Sequence, residues 1–283
     1  MTSNLENLVE SAKKGNKDAL EILLLKIKDR VFGLAVRMLG HPIDAEDATQ
    51  EILIKIITHL STFRQESAFT SWVYRIAANH LLTIRKRRVE LSYSSFDVVT
   101  DEIESGLASQ WSRSLPEAEA KLLVEEMLIS CTQGILLCLD RGHRLAYVLG
   151  EIFYVSSDQG GYILDITPPA FRKRLSRGRK RLNDFMENNC SLINSSNPCT
   201  CKKWILKCTP QEFEEISDRP YTSYPCRGRQ ETGVMNRIKE YGELNRVAAI
   251  YRNHPDYAAP ETFMDNLKEL MNSGQFELFN GHA

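Results

Sequence analysis

Thr167-Pro168-Pro169-Ala170-Phe171-Arg172-Lys173-Arg174-Leu175-Ser176-Arg177-Gly178-Arg179-Lys180-Arg181-Leu182 is the stretch that decides the architecture. Thr167 before Pro168 is an N-cap and first-turn pair, so a helix begins there. Phe171, Leu175 and Leu182 fall on roughly one side, and the cationic side chains are left to face outward. Between Ile166 and Asn183 there are seven basic side chains and no acidic one. A shorter helical stretch, Ser157 to Leu164, precedes it across the tight link Asp165-Ile166-Thr167. Two short helices with a tight link, the second strongly basic, are the sequence image of a helix-turn-helix. Arginine on such a helix can pair with base edges, while lysine mostly neutralises phosphate. Two adjacent glycines, Gly160 and Gly161, sit inside the first helix. They loosen it or admit a neighbouring backbone.

Upstream the chain also reads as helices. Ser3 caps a short one closed by Gly15, and a longer one runs from about Lys17 to Leu39 and stops at Gly40-His41-Pro42. Asp44 then begins a helix with Glu46 and Asp47 in its first turn, where the helix dipole favours negative charge. Ile52, Leu53, Ile56, Ile57 and Leu60 form its apolar stripe. Phe69, Trp72, Val73, Ile76, Ala77, Leu81 and Ile84 define a fourth helix that ends in the cationic run Arg85-Lys86-Arg87-Arg88. Aromatic rings beside cations can stack unpaired bases. Residues 89–115 lose the period and read as a linker, with Phe96 and Trp111 as docking points. Helices resume at Leu115-Pro116-Glu117 and again from about Arg141 to Tyr154.

The global numbers fit a globular chain of about two domains. It has 283 residues, 42% hydrophobic and 26% charged, and its 36 basic and 37 acidic side chains give a net charge of -1. That near-neutrality conceals the two basic clusters, which carry the local electrostatics. No run approaches the roughly 20 apolar residues of a membrane span, and Met1-Thr2-Ser3-Asn4-Leu5-Glu6 lacks the features of a signal peptide, so a cytoplasmic location without membrane contact is expected. No nucleophile–base pair, Gly-rich phosphate loop or His-Glu-x-x-His stands in the sequence, which points away from an enzyme.

Cysteine is concentrated late. Of seven, only Cys131 and Cys138 precede residue 190, both among apolar residues, and Cys190, Cys199, Cys201, Cys208 and Cys226 follow. Cys190, Cys199, Cys201 and Cys208 offer four thiolates to a zinc ion, although the spacing is not that of a Cys-x-x-Cys knuckle. Incidental thiols and a thiol redox switch are the other readings. Lys202, Lys203 and Lys207 nearby are expected to lower the thiol pKa values. Further helices are expected at about 210–218, 232–252 and 260–273.

Asp44-Ala45-Glu46-Asp47-Ala48-Thr49-Gln50-Glu51, followed by Ile52 and Ile54, resembles the polymerase-binding helix of sigma-70 family initiation factors. Phe63-Arg64, Phe69, Ser71-Trp72-Val73-Tyr74-Arg75-Ile76-Ala77-Ala78-Asn79 and Arg85 to Arg88 are similar to the adjoining element that melts and reads the promoter -10 region. Order and spacing match the small extracytoplasmic-function (ECF) group, and Arg141 to Leu182 resembles its -35-reading helix-turn-helix. The departures are Gly160-Gly161 and the turn Asp140-Arg141-Gly142, which replaces the family's Leu-Pro pattern.

The resemblance implies an all-α chain of two helical domains joined by a linker, with a mostly helical C-terminal extension. Residues 1–88 would be sigma region 2, 89–115 the linker, 116–187 sigma region 4, and 188–283 a Cys-rich, regulatory extension. It implies core RNA polymerase contacts at Asp44, Glu46, Asp47, Gln50 and Glu51. The -10 contacts would be Phe63, Arg64, Phe69, Trp72, Arg75, Asn79, Arg85 and Lys86. The -35 contacts would be Thr167, Arg172, Lys173, Arg174, Arg177, Arg179 and Lys180. Core polymerase and promoter DNA are the implied partners, with an anti-sigma factor a candidate third. No cofactor is required, zinc in the extension being the one candidate. The rival reading is a helix-turn-helix regulator that binds DNA without polymerase and carries a metal- or redox-sensing tail.

Overall fold

The computed structural model describes residues 2–85, 88–93, 95–108, 114, 116–207, 246–260 and 262–272. Its elements are all helices, chiefly α. Among the described residues β structure is limited to isolated bridge positions, a parallel bridge between Cys190 and Cys199 and one at Tyr257. The expectations placed on Lys86, Trp111, Cys208, Cys226, the helix at 210–218 and residues 232–245 lie outside the described residues.

Helices α1 (Thr2–Lys13), α2 (Lys17–Leu39), α3 (Pro42–His59) and α4 (Phe69–Thr83) form the first bundle. Asn16 caps α2 by accepting from the Ala19 N–H at 2.9 Å, and Gly40, at φ 71°, closes it in the left-handed conformation that glycine adopts without strain. From Val31 to Leu39 every residue of α2 is buried, so this helix is the axis of the molecule rather than an amphipathic surface element. The third helix begins earlier than Asp44. Pro42 takes its first position, with the ring supplying a helical φ where no amide donor is needed, and Asp44 falls in the first turn. A 3-10 turn, Leu60–Thr62, leads out of it.

The stretch read as an aperiodic linker is largely helical. Helix α5 covers Arg88–Ser92 and α6 covers Phe96–Ala108. The apolar positions Phe96, Val99, Ile103 and Leu107 do recur at helical spacing, and the stripe is narrow among Asp, Glu and Ser. Phe96 packs on Phe185 with ring centres 5.2 Å apart. Gly106 lets Trp204 approach so closely that a Cβ there would stand 3.3 Å from its ring.

Helix α7 (Glu117–Leu137) leads to α8 (Arg141–Tyr147), for which Asp140 is the N-cap. The single helix expected to Tyr154 changes character at Val148: residues Val148–Ile152 form a π turn, with the Phe153 N–H donating to the Val148 carbonyl at 3.0 Å. Then come α9 (Ser157–Leu164) and α10 (Pro168–Asn189). Ser156 and Gln159 make a reciprocal capping box on α9, and the Thr167 hydroxyl accepts from the Ala170 N–H at 3.3 Å to cap α10. The paired glycines resolve in favour of close approach: a Cβ on Gly160 would lie 2.4 Å from the Phe171 ring, and one on Gly161 would lie 2.8 Å from the Ile166 carbonyl oxygen.

The last third contributes α11 (Cys201–Lys207), α12 (Arg246–Arg252) and α13 (Thr262–Asn272). Lys28 of α2 donates to the Ala259 carbonyl at 3.0 Å, Asp29 accepts from the Ala259 N–H at 3.1 Å, and Lys268 pairs with Glu21 at 2.8 Å. On α7, Thr132 and His254 lie 2.8 Å apart, and Tyr251 donates to the Thr132 carbonyl at 3.1 Å. Arg252 reaches the π turn, where it meets the Glu151 carbonyl at 2.7 Å and carboxylate at 2.8 Å. One apolar cluster runs from Val9 to Met271, and a small separate one joins Met127 of α7 to Ile205 of α11.

Candidate functional site

On α3, Ala45, Ala48, Thr49, Ile52, Leu53, Ile56 and Ile57 turn inward. That leaves Asp47 and Glu51 exposed and Asp44, Glu46 and Gln50 half-exposed on the opposite side, so the five predicted polar residues share an outward acidic face. Glu51 reaches toward His80 of α4 at 3.6 Å, beyond hydrogen-bond length. Burial and the neighbouring Lys55 both lower the pKa of His80, so at neutral pH its ring is uncharged and accepts at Nδ1 from the Lys55 ammonium, 2.7 Å away.

The aromatic residues form a cluster. Phe63, Phe69 and Trp72 meet pairwise with ring centres 5.3 to 5.6 Å apart. Phe63 and Phe69 are each 4% exposed, while Trp72 is half-exposed and borders an open cavity of about 470 Å³. Arg75 and Asn79, one and two turns further along α4, line the same cavity with Lys55, His59 and Tyr162. Arg64 and Arg85 are exposed nearby in sequence.

Arg75 is not free to swing. Its guanidinium donates to the Tyr162 carbonyl at 3.2 Å and to Asp165 at 3.0 Å, and it stacks 5.0 Å from the Tyr162 ring centre. Both partners belong to the end of α9, so the far wall of the α4 cavity is built by the second half of the chain. The left-handed turn at Asp165 (φ 54°) that ends α9 aims its carboxylate there.

On α10, Arg172, Lys173, Arg177 and Lys180 are exposed and Arg174 is half-exposed. Arg172 donates to the Ser157 hydroxyl at 3.2 Å, and Lys180 pairs with Asp184 at 2.8 Å. Arg179 differs from the rest. It is tied to the buried Glu151 carboxylate, whose other oxygen takes Arg252 from α12. Thr167 spends its hydroxyl on the helix cap.

Beneath these surfaces lies a charged knot that sequence reasoning missed. Glu90 of α5 receives two hydrogen bonds from Arg141, at 2.8 and 2.6 Å, and one from Arg144 at 3.0 Å. Burial alone would raise the Glu90 pKa, but the hydrogen bonds from Arg141 and the charge of Arg144 outweigh it, and the net shift is downward. Arg144 is 2% exposed and also donates to the Leu137 and Leu139 carbonyls at 2.6 and 2.8 Å, while Arg141 donates to the Ile84 carbonyl at 2.7 Å. The knot joins the end of α4 to the start of α8. An acidic residue in a presumed linker gave no signal for it.

The cysteines depart from expectation in two respects. Burial raises the thiol pKa values, to about 11 at Cys199 and about 12 at Cys201; Lys203 opposes this at Cys199 without prevailing. The lysines therefore do not make reactive thiolates here. All five described cysteines are free thiols, and among the described residues no group of three or more Cys, His, Asp or Glu side chains is gathered closely enough to hold a metal as it stands. Among those residues, too, no helix is long and apolar enough to cross a membrane.

Comparison with known proteins places this geometry. Residues 23–89 match the family model for sigma-70 region 2. The chain is 31% identical over 184 residues to the ECF RNA polymerase sigma-E factor of Escherichia coli, covering 93% of that protein and 64% of this chain. It is 30% identical over 183 residues to the ECF RNA polymerase sigma factor SigW of Bacillus subtilis, covering 96% of it and 64% of this chain. It is also 29% identical over 185 residues to the RNA polymerase sigma-H factor of Pseudomonas aeruginosa, covering 93% of it. Sigma factors of this kind are non-catalytic transcription initiation factors. The chain belongs to the ECF group of the sigma-70 family.

Proposed function

We propose that this protein binds core RNA polymerase and directs promoter recognition and transcription initiation, with residues 1–88 and 116–187 acting as sigma regions 2 and 4. The outward acidic face of α3, Asp44 to Glu51, would dock on the polymerase. Phe63 and Phe69 would act by buttressing Trp72, whose open face, with Arg75 and Asn79, would take the unpaired bases of the -10 element, and Arg64, Arg85 and Lys86 would follow the backbone. Opening the duplex is binding work: unstacking costs a few kcal/mol per step and is offset by contacts to the extruded bases. Helices α9 and α10 would form the -35-reading helix-turn-helix. There Arg172, Lys173, Arg174, Arg177 and Lys180 face DNA, while Thr167 and Arg179 hold the element in shape.

The observation that carries this reading is the single cavity shared by Trp72, Arg75 and Asn79, on a helix inside the segment that matches region 2. The presence of Tyr162 on its wall and the tie from Arg75 to Asp165 support a resting form in which the two halves must part before DNA enters. Residues 246–272, bonded to α2 on one side and to α7 and the π turn on the other, support a regulatory role for the extension in holding that form.

Run-off transcription with purified core polymerase on a genomic promoter library tests the proposal. Discrete start sites that need both components are expected. Silence, combined with direct promoter binding by the chain alone, would establish the polymerase-independent regulator instead.

A further inference from the structure

Four of the five described cysteines converge on one place. Cys131 of α7, Cys190 at the end of α10, and Cys199 and Cys201 at the start of α11 line the same enclosed cavity of about 40 Å³, under Met186 and Trp204. Cys131 and Cys201 are seventy residues apart in sequence, three separate elements bring the four together, and the fifth, Cys138, is not among them. The turn that carries three of the four is rigidly pinned. Cys190 donates its N–H to the Met186 carbonyl at 2.8 Å, and the Ser191 N–H donates to the Cys199 carbonyl at 3.2 Å beside the Cys190–Cys199 bridge. Asn197 donates to the Glu187 carbonyl at 2.8 Å, and the Thr200 hydroxyl accepts from the Lys203 N–H at 3.0 Å.

The size of the cavity decides what it can take. Small-molecule pockets run to about 300–1,000 Å³, whereas about 40 Å³ is close to the share of a single water molecule. Four sulfurs around a space for one small body are the donor set of a thiophilic cation: zinc sites of this kind are tetrahedral, with four cysteine sulfurs about 2.3 Å from the ion. The sulfurs are not yet at that spacing. They line one cavity from three elements, and binding an ion requires them to draw closer together.

We propose that Cys131, Cys190, Cys199 and Cys201 form a tetrathiolate site for one divalent cation of the zinc class. The fourth ligand is then Cys131 from α7, within the region-4 segment, rather than Cys208 from the tail. Binding converts four thiols and one divalent ion into a complex of net charge -2 and releases four protons to solvent. Lys203, whose charge already acts on Cys199, is placed to offset part of that charge. Such a site staples α7, α10 and α11 to one another, in the way structural zinc supplies folding energy to small domains. The proposal stands apart from the transcription reading, because its readout is metal and not start sites.

The test uses the full chain, purified under reducing, oxygen-free conditions, stripped of metal, and titrated with Zn(II) against a chromophoric chelator. One equivalent is expected. Co(II) in its place is expected to give thiolate charge-transfer absorption and the visible bands of a tetrahedral site. Cys131→Ser and Cys199→Ser are expected to lose stoichiometric binding, whereas Cys138→Ser and Cys208→Ser keep it. Failure of the wild-type chain to take up Zn(II), or loss with Cys208→Ser but not with Cys131→Ser, overturns the proposal. In case the serine variants misfold, the wild type gives a second reading: alkylation with and without Zn(II), mapped by mass spectrometry. Protection confined to Cys131, Cys190, Cys199 and Cys201 supports the site, and any other protected set refutes it.

Discussion

Arg75 and Asp165 are 90 residues apart in sequence and 3.0 Å apart in space. The first sits on the helix proposed to meet the -10 element and the second ends the helix that precedes the basic one. Their ion pair therefore ties together the two surfaces proposed to meet DNA. Because Asp165 is largely exposed, the pair contributes at most about 1 kcal/mol. Asp165→Asn, which keeps a side chain suited to the left-handed turn, is expected to leave the melting temperature nearly unchanged and to raise promoter-complex formation up to about fivefold. Arg75→Ala is expected to lower transcription. Equal effects of the two substitutions in a run-off assay would mean the ion pair does not gate DNA entry.

Glu90→Gln removes the charge that compensates Arg144, whose side chain is 2% exposed. Breaking a buried pair from one side costs about 3–5 kcal/mol. The melting temperature is expected to fall by on the order of 10 °C. The folded-state pKa of Glu90 lies below its ordinary carboxylate value, so its contribution is present above that value and is lost as pH falls through the depressed one. Calorimetry of the variant beside wild type at neutral and acidic pH reads both effects.

His254 gives a milder acid sensitivity at higher pH. Burial, with Arg37 adding to it, lowers its pKa from 6.5 to about 3. The unfolded chain therefore binds a proton between those values that the folded chain does not, and stability rises with pH across that window. Going from pH 7 to pH 5 is expected to cost about 2 kcal/mol from this group. His254→Gln, which retains a partner for Thr132, is expected to flatten the pH slope of denaturant midpoints by that amount.

Arg177 and Arg179 are proposed to separate DNA contact from architecture. Arg177→Ala is expected to weaken promoter binding and to reduce the slope of log affinity against log salt by about 1, as loss of one phosphate contact does. Arg179→Ala instead removes one partner of the buried Glu151. It is expected to cost about 1–3 kcal/mol of stability and to leave the salt slope within error. Binding isotherms at several salt concentrations, with the polymerase present, distinguish them.

Much of this is legible in the sequence. Gly40 announced the end of α2 and Thr167-Pro168 the start of α10, since these signals act locally and owe nothing to distant partners. The acidic face of α3 was readable for the same reason. What escaped was whatever depends on long-range company. The stripe Phe96, Val99, Ile103, Leu107 is narrow, and it becomes a core face only because Phe185 and Trp204 lie against it. The pairing of Arg179 with Glu151, 28 residues away in sequence, gave no local signal. Cys131 looks like an ordinary apolar-run cysteine until α10 and α11 bring three more thiols beside it. The lysines near Cys199 suggested activated thiolates, and burial, invisible in sequence, decided the opposite.

The ties from residues 246–272 back to α2 also impose an order in time. Lys28 and the carbonyl it holds at Ala259 are 231 residues apart, so nearly the whole chain must be synthesised before that bond can form. At about 5–20 residues per second, the stretch between α11 and α13 takes several seconds to emerge. During those seconds a nascent factor has both halves but not the segment that binds them together. Ribosome-stalled chains ending shortly after α11 are accordingly expected to be cut more readily by protease between α4 and α9 than the released protein, and equal resistance would show that the two halves close without their tie.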